Sequence, residues 1–281
     1  MHRPPKTAPR TERPGAGHQT VTSRAYCPHV AAHENRFVEL EGAFNFRDLG
    51  GLPTSDGATT RPGVMFRSDA LHHLTPAAVD QLVDLGIRTI IDLRSAVELE
   101  RSGRGPLEST RIGWLHAPLT HGDAAAGNAL PPALAEGDLG RHYVESLPAR
   151  SETLAQVITH LADRDNLPAV FHCTAGKDRT GMVAALVLSL VGVPDDVIVH
   201  DYTLTDARMH LVMERIRASN VLPEATTPML ASVGRAEAAS MQKFLAALHA
   251  DYGSAPGWAR AAGVSATTLT SLHEVLVEDN P

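Results

Sequence analysis

From about residue 36 the chain alternates short apolar runs with stretches of helical period. Val64-Met65-Phe66 predicts a short strand. Thr75-Pro76 then offers an N-cap with proline at the first helical position. Val79, Leu82 and Val83 fall on one face of that helix, and Gly86 stops it. Thr89-Ile90-Ile91-Asp92-Leu93 predicts a buried strand, and Trp114 to Leu119 another. Ser151 is placed to cap a helix whose apolar face is Leu154, Val157, Ile158 and Leu161. Ala169-Val170-Phe171 predicts the strand that runs into residue 172. Met182 to Val191 is apolar almost all round, so it predicts a buried helix ended by Gly192 and Pro194. Helices follow over Asp206 to Ala218, over Met241, Phe244, Leu245 and Leu248, and after Ser265 with Leu269, Leu272, Val275 and Leu276 inward. Strands alternating with helices predict an α/β domain, its mainly parallel central sheet flanked by helices on both faces.

Residues 1–35 break this pattern. They are rich in Pro, Arg, Thr and Gly, with no apolar period, and predict a solvated N-terminal tail. Residues 36–281 are then one domain. Ser219 to Val233 holds two prolines and no period, so 206–233 is a candidate lid or mobile insertion.

Charge and cysteine content narrow the chemistry. The formal net charge of −7 argues against general nucleic-acid binding, so any anion site must be locally basic. Two cysteines, Cys27 and Cys173, do not make a disulfide scaffold, and a working thiol suits a reducing, cytoplasm-like compartment. No apolar run is long enough for a transmembrane segment, and the N-terminus has no apolar signal-peptide core. The 15 histidines are scattered without ligand spacing, so neither a metal nor another cofactor is expected.

One stretch carries chemistry: His172-Cys173-Thr174-Ala175-Gly176-Lys177-Asp178-Arg179-Thr180-Gly181, a C-x5-R loop between a strand and a helix. A phosphate monoester is a dianion and must be neutralised before sulfur can attack it. The amides of Thr174, Ala175, Gly176 and Lys177 form a candidate anion nest. Thr180 and Gly181, at the start of the following helix, add its positive end. Gly176 permits the left-handed turn that such a nest needs. Arg179 grips two phosphate oxygens, and the same field favours the thiolate of Cys173. Thr180 is placed to bond the sulfur, and His172 to orient the loop. The dipeptide Gly176-Lys177 does not make a nucleotide loop, because Phe171 and Asp178 stand where that motif needs Gly and Ser or Thr. The structural alternative is a buried inert cysteine at a strand end.

Proton transfer needs a carboxyl group. Asp178 within the loop, Asp92 at a strand end and Asp123 in a loop are all eligible. For each, the alternative is a carboxylate bonded to amides or to an arginine.

The loop resembles the signature of the atypical bacterial tyrosine/serine cysteine-phosphatase family of the tyrosine-phosphatase-B type. Similar segments are Asn45 to Gly51, Phe66-Arg67-Ser68-Asp69, Asp92-Leu93-Arg94-Ser95 with Glu98, and Asp201-Tyr202 with Leu204-Thr205. The resemblance implies a protein-tyrosine-phosphatase-like fold and a hydrolase acting on phosphorylated proteins or phosphoinositides, releasing inorganic phosphate. It implies Cys173 as nucleophile, Arg179 as phosphate ligand, Asp178 as acid, Lys177 as a phosphoinositide contact, and Asp92 as the matching strand aspartate. Asn45 to Gly51 is expected to build a turn and strand, and Arg47, Arg67 and Arg94 either line the site or pair with carboxylates. Two other readings compete: a phosphate- or phosphoinositide-binding pseudophosphatase, and a thiol-based sulfurtransferase or arsenate-handling protein.

Overall fold

The computed structural model describes residues 1–2, 36–119, 131–218 and 234–279. The chain divides into two compact units, 1–32 and 33–281. Of the first, only residues 1–2 are described. Cys27, Asp123 and residues 219–233 lie outside the described residues.

The second unit is built on five strands: β1 (Arg47–Asp48), β3 (Met65–Ser68), β4 (Thr89–Asp92), β5 (Gly113–His116) and β6 (Ala169–His172), in the order β1-β3-β6-β4-β5. The last four are mutually parallel, and β1 is antiparallel to β3 at one edge. A two-stranded antiparallel ribbon joins β2 (Thr59–Thr60) to β7 (Val277–Glu278). Strand side chains alternate between faces. Phe66, Val170 and Ile90, aligned across three strands, pack with Val79 and Leu82 of helix α1 (Pro76–Asp84). Met65, Ala169, Phe171 and Ile91 face the larger core on the other side.

That core is closed by α4 (Leu139–Leu161), α5 (Asp178–Leu190), α6 (Asp195–Leu204), α8 (Ala238–Tyr252), α9 (Ala255–Ala261) and α10 (Ala266–Leu276). The other α-helices among the described residues are α2 (Ala96–Ser102), α3 (Pro132–Ala135) and α7 (Asp206–Ala218). No helix of the described residues is long and apolar enough to cross a membrane.

Local signals explain most of these elements. Thr75 Oγ1 accepts from the Ala78 amide with Pro76 in the first turn, and Ser265 caps α10 through the Thr268 amide. Val83 is 56% exposed, because Val79 and Leu82 already fill the narrow buried face of α1. Ser151 caps nothing. The helix starts at Leu139, capped by Asp138, and Ser151 donates to the Leu147 carbonyl in mid-helix. Pro148 lies inside α4, and its first half buries polar His142, Ser146 and Arg150, which hid the helical period.

Candidate active site

All four parallel strands point their carboxyl ends to one edge, and β6 delivers Cys173 there. Catalytic groups of open α/β sheets gather at such an edge. Cys173 is buried, and α5 begins five residues later, inside the signature itself. Gly176 has φ +67°, and a Cβ there would lie 2.6 Å from the Asp69 amide nitrogen and 2.7 Å from the Ser68 carbonyl. Only glycine fits that turn against β3.

The carbonyls of the loop are tied from outside. The His172 carbonyl accepts from the Leu93 amide at 2.9 Å, and that of Thr174 from the Ala70 amide at 3.2 Å. The Gly176 carbonyl accepts from Arg67 Nη2 at 2.8 Å and from Asn45 Nδ2 at 3.1 Å. A trans peptide points its N–H opposite its C=O. The amides of Ala175 and Lys177 are thereby turned toward the concave side. Lys177, the N-cap residue of α5, makes no side-chain cap bond, so among the described residues the positive end of that helix is left for an anion. The loop can therefore receive an anion.

The clamp on Gly176 rests on one buried carboxylate. Asp201 of α6 holds Arg67 at 2.6 Å, Arg36 at 2.7 Å and Arg47 at 3.1 Å. Burial works against its charge, but the three guanidiniums hold the Asp201 carboxyl well below the ordinary range. Burial and Arg67 together push Arg47 down to about 9, against the pull of Asp201. Three cations on one anion leave a positive excess beneath the loop, favourable to a phosphate above it.

Arg179 is aimed by Glu98. Its Nη1 donates to Glu98 Oε2 at 2.6 Å and its Nη2 to Oε1 at 2.9 Å. Thr174 Oγ1 donates to Glu98 Oε1 as well. Glu98 also closes the capping box of α2: Ser95 N donates to its Oε2 at 2.7 Å, and its own amide donates to Ser95 Oγ at 3.0 Å. Burial opposes ionisation of Glu98, yet the Arg179 bonds and charge hold its carboxyl far below the usual range. Burial likewise opposes the Arg179 charge, and Glu98 and Cys173 raise its proton affinity.

A cysteine at a strand end, a glycine-turned nest and an oriented arginine at the head of a helix are now in one place. The model of the tyrosine phosphatase family matches residues 38–278. The chain belongs to this family. It is 31% identical over 277 residues to the triple specificity protein phosphatase PtpB of Mycobacterium tuberculosis, across 85% of this chain and 98% of the relative. It is 32% identical over 265 residues to a tyrosine-protein phosphatase of Nostoc commune, across 90% and 88%. The chain is thus a protein-tyrosine-phosphatase-type hydrolase with the corresponding α/β fold, and its substrates are phosphorylated.

The expected site residues divide into two groups. Cys173, Thr174, Ala175, Gly176, Lys177, Asp178, Arg179, Thr180 and Gly181 form the loop and the head of α5. Asp92 and His172 lie behind it. Asp92 is fully enclosed and saturated by Arg94, with bonds of 2.6 to 3.1 Å from Nε, Nη2 and the backbone amide. The fully buried His172 ring donates from Nδ1 to the Cys173 carbonyl at 3.3 Å and lies 3.8 Å from Asp92. Neither faces the concave side, because both side chains fall on the α1 face of their strands while Phe171 and Ile91 fall on the other. Burial pushes the His172 imidazole below its ordinary value, although Asp92 pulls the other way. Thr180 Oγ1 is buried and makes no hydrogen bond among the described residues, so the expected bond to sulfur is not formed. Lys177 is buried too, its Nζ 3.3 Å from Asp178 and donating to the Arg235 carbonyl at 3.2 Å.

Three contributors escaped the sequence reading. Glu98 stood in a similar segment without a role, although Ser95-x-x-Glu98 is a capping-box signal. Tyr143 donates to Asp178 Oδ1 at 2.5 Å. Arg150 is buried on α4, lowered to about 10 by burial and by the charge of nearby Arg179. Arg47, Arg67 and Arg94 resolve as partners of carboxylates rather than lining.

Helix α7 sits against the loop. Met209, Val212 and Met213 pack with Phe44 and Ala175, and Arg215 pairs with Asp69 at 2.6 Å.

Proposed function

We propose that the enzyme hydrolyses phosphate monoesters through a phosphocysteine, without a metal. The Cys173 sulfur attacks phosphorus, the S–P bond forms, and the P–O bond to the leaving group breaks. Asp178 gives its proton to the departing oxygen. Water then attacks the phosphocysteine, returns a proton to Asp178, and frees the thiolate and inorganic phosphate. Arg179 and the loop amides hold the equatorial oxygens throughout. The observation that carries this reading is the loop turned amides-inward around Cys173, with Arg179 aimed by Glu98.

Of the candidate acids, Asp178 fits best. Its side chain is 37% exposed within the loop, whereas Asp92 is enclosed by Arg94. Burial favours the neutral form of Asp178, but Lys177, the Tyr143 hydroxyl and Arg179 hold it below the ordinary range. The resting carboxylate suits the base of the second step. A bound phosphate dianion raises its proton affinity for the first. Asp92 instead positions Arg94 and the strand end.

Residues 36–281 act as one catalytic domain in this reading, with 206–233 as a lid of which only α7, packed against Ala175, is among the described residues. A working thiol suits the reducing cytoplasm. The substrates in this reading are phosphotyrosine and, as the resemblance to the tyrosine-phosphatase-B type implies, phosphoserine, phosphothreonine or phosphoinositides; the M. tuberculosis relative is named a triple specificity protein phosphatase. Lys177 faces Asp178 rather than solvent, which favours phosphoproteins over lipid headgroups. A panel of phosphotyrosine and phosphoserine peptides and phosphoinositide vesicles tests this. Turnover greatest on phosphotyrosine supports the reading. Phosphate binding without turnover on any member contradicts it, as does thiosulfate or arsenate activity above all of them.

A further inference from the structure

The loop carboxylate is gripped from a helix that the signature does not contain. Tyr143 of α4 is fully buried, and its hydroxyl donates to Asp178 Oδ1 at 2.5 Å. The Tyr143 hydroxyl oxygen lies 2.8 Å from the hydroxyl of Tyr202 on α6. A phenol has one proton to give. Because Tyr143 gives its own to the carboxylate, Tyr202 is the donor in the second bond, and the chain runs Tyr202 to Tyr143 to Asp178.

Packing fixes this geometry. The two rings meet edge-on, with centroids 6.4 Å apart at 83°, and Phe244 of α8 closes on Tyr143 at 6.2 Å and 90°. A Cβ at Gly181 would lie 3.0 Å from the Tyr202 ring, so the last glycine of the signature makes room for it. Two hydroxyls in an apolar core are costly unless bonded. Phenylalanine would fill the same space, so what the hydroxyls add is the carboxylate contact.

We propose that Tyr143, oriented by Tyr202, is the positioning residue that holds the Asp178 carboxylate for proton transfer. The proposal rests on the reading of Asp178 as acid and base. Both Tyr143 and Lys177 engage Oδ1, which leaves Oδ2 without a hydrogen bond among the described residues and available for the proton in transit. The titratable and charged groups facing Asp178 are Lys177 and Arg179 beside it, His142, Tyr143 and Arg150 on α4, and Tyr202 on α6. Among the described residues, Tyr143 and Lys177 are the ones that engage the carboxylate directly. A donor to the charged form favours that form, so its loss raises proton affinity.

The test compares pH profiles of kcat at saturating substrate, which report the phosphate-bound enzyme, for wild type, Asp178→Asn, Tyr143→Phe and Tyr202→Phe. The substrates are para-nitrophenyl phosphate, whose leaving group needs little protonation, and phenyl phosphate, which needs more. Tyr143→Phe should move the alkaline limb up by about one pH unit. It should also slow phenyl phosphate about tenfold, with less effect on the nitrophenyl ester. Tyr202→Phe should shift the limb the same way by less. A tyrosine that only packs would leave the limb in place. If Asp178→Asn slows phenyl phosphate but both tyrosine variants keep the wild-type limb, the positioning role is overturned while the Asp178 reading stands. If Asp178→Asn leaves phenyl phosphate turnover unchanged, the Asp178 reading falls, and this proposal with it. Should Tyr143→Phe fail to fold, Tyr202→Phe decides, and an unshifted limb overturns the proposal.

Discussion

Glu98 joins two jobs in one side chain, and Glu98→Gln separates them. The glutamine oxygen can still accept from the Ser95 amide, so the capping box of α2 survives. What is lost is the charge facing Arg179, at 2.6 and 2.9 Å. Exposed ion pairs contribute at most about 1 kcal/mol, and breaking a fully buried one costs about 3–5 kcal/mol. This pair is intermediate, 19% and 31% exposed, so a loss of about 2 kcal/mol is expected, or roughly 4–8 °C in Tm for a domain of this size. If half of that loss falls on the aim of Arg179, kcat/KM drops about fivefold. Glu98→Ala, which also removes the cap, should cost about 1 kcal/mol more.

The pH dependence carries the sign. Glu98 is held below its usual value of 4.5. Its contribution is therefore complete above pH 4.5 and is lost as pH falls through the folded value. Denaturant unfolding should show the full wild-type advantage at pH 7 and a smaller one at pH 3. An equal advantage at both pH values, or an unchanged kcat/KM, would refute the assignment of Glu98 as the charge that aims Arg179.

Other perturbations follow from the same geometry. Asp201→Asn leaves Arg36, Arg47 and Arg67 without their shared carboxylate, and chemical denaturation should report a loss of about 3–5 kcal/mol. Its kcat/KM should fall further than the unfolded fraction explains, because Arg67 also holds the Gly176 carbonyl. Gly176→Ala places a Cβ 2.6 Å from the Asp69 amide nitrogen at φ +67°. It should lower stability by about 2 kcal/mol or more and abolish phosphate binding measured by calorimetry. Asp92→Asn should lower Tm through Arg94 while leaving the leaving-group dependence of the rate unchanged, unlike Asp178→Asn.

The sequence was most legible where a signal and its consequence lie within a few residues. Thr75-Pro76, Ser265 and the strand–loop–helix frame of Cys173 are of that kind, since caps, turns and period act locally. The helix Asp195–Leu204 had local signals too, Pro194 ahead of two aspartates, but its apolar positions carry no clear stripe. Pairings across the chain were beyond reach. Glu98 meets Arg179 81 residues away, and Tyr143 meets Tyr202 59 away. Nothing in a pattern of apolar and polar positions records which helix faces which loop. The same limit explains His172 and Asp92. Both flank a strand end at the right edge of the sheet, and one residue of alternation decides that they face α1 rather than the nest.

The central claim is a covalent phosphate on Cys173, and rapid quench tests it most directly. Enzyme mixed with a radiolabelled phosphotyrosine peptide and denatured in acid within milliseconds should retain label on the tryptic peptide containing Cys173. Cys173→Ser should retain none and should bind inorganic phosphate without turnover. Label on another residue, or hydrolysis that survives Cys173→Ser, would contradict the phosphocysteine route.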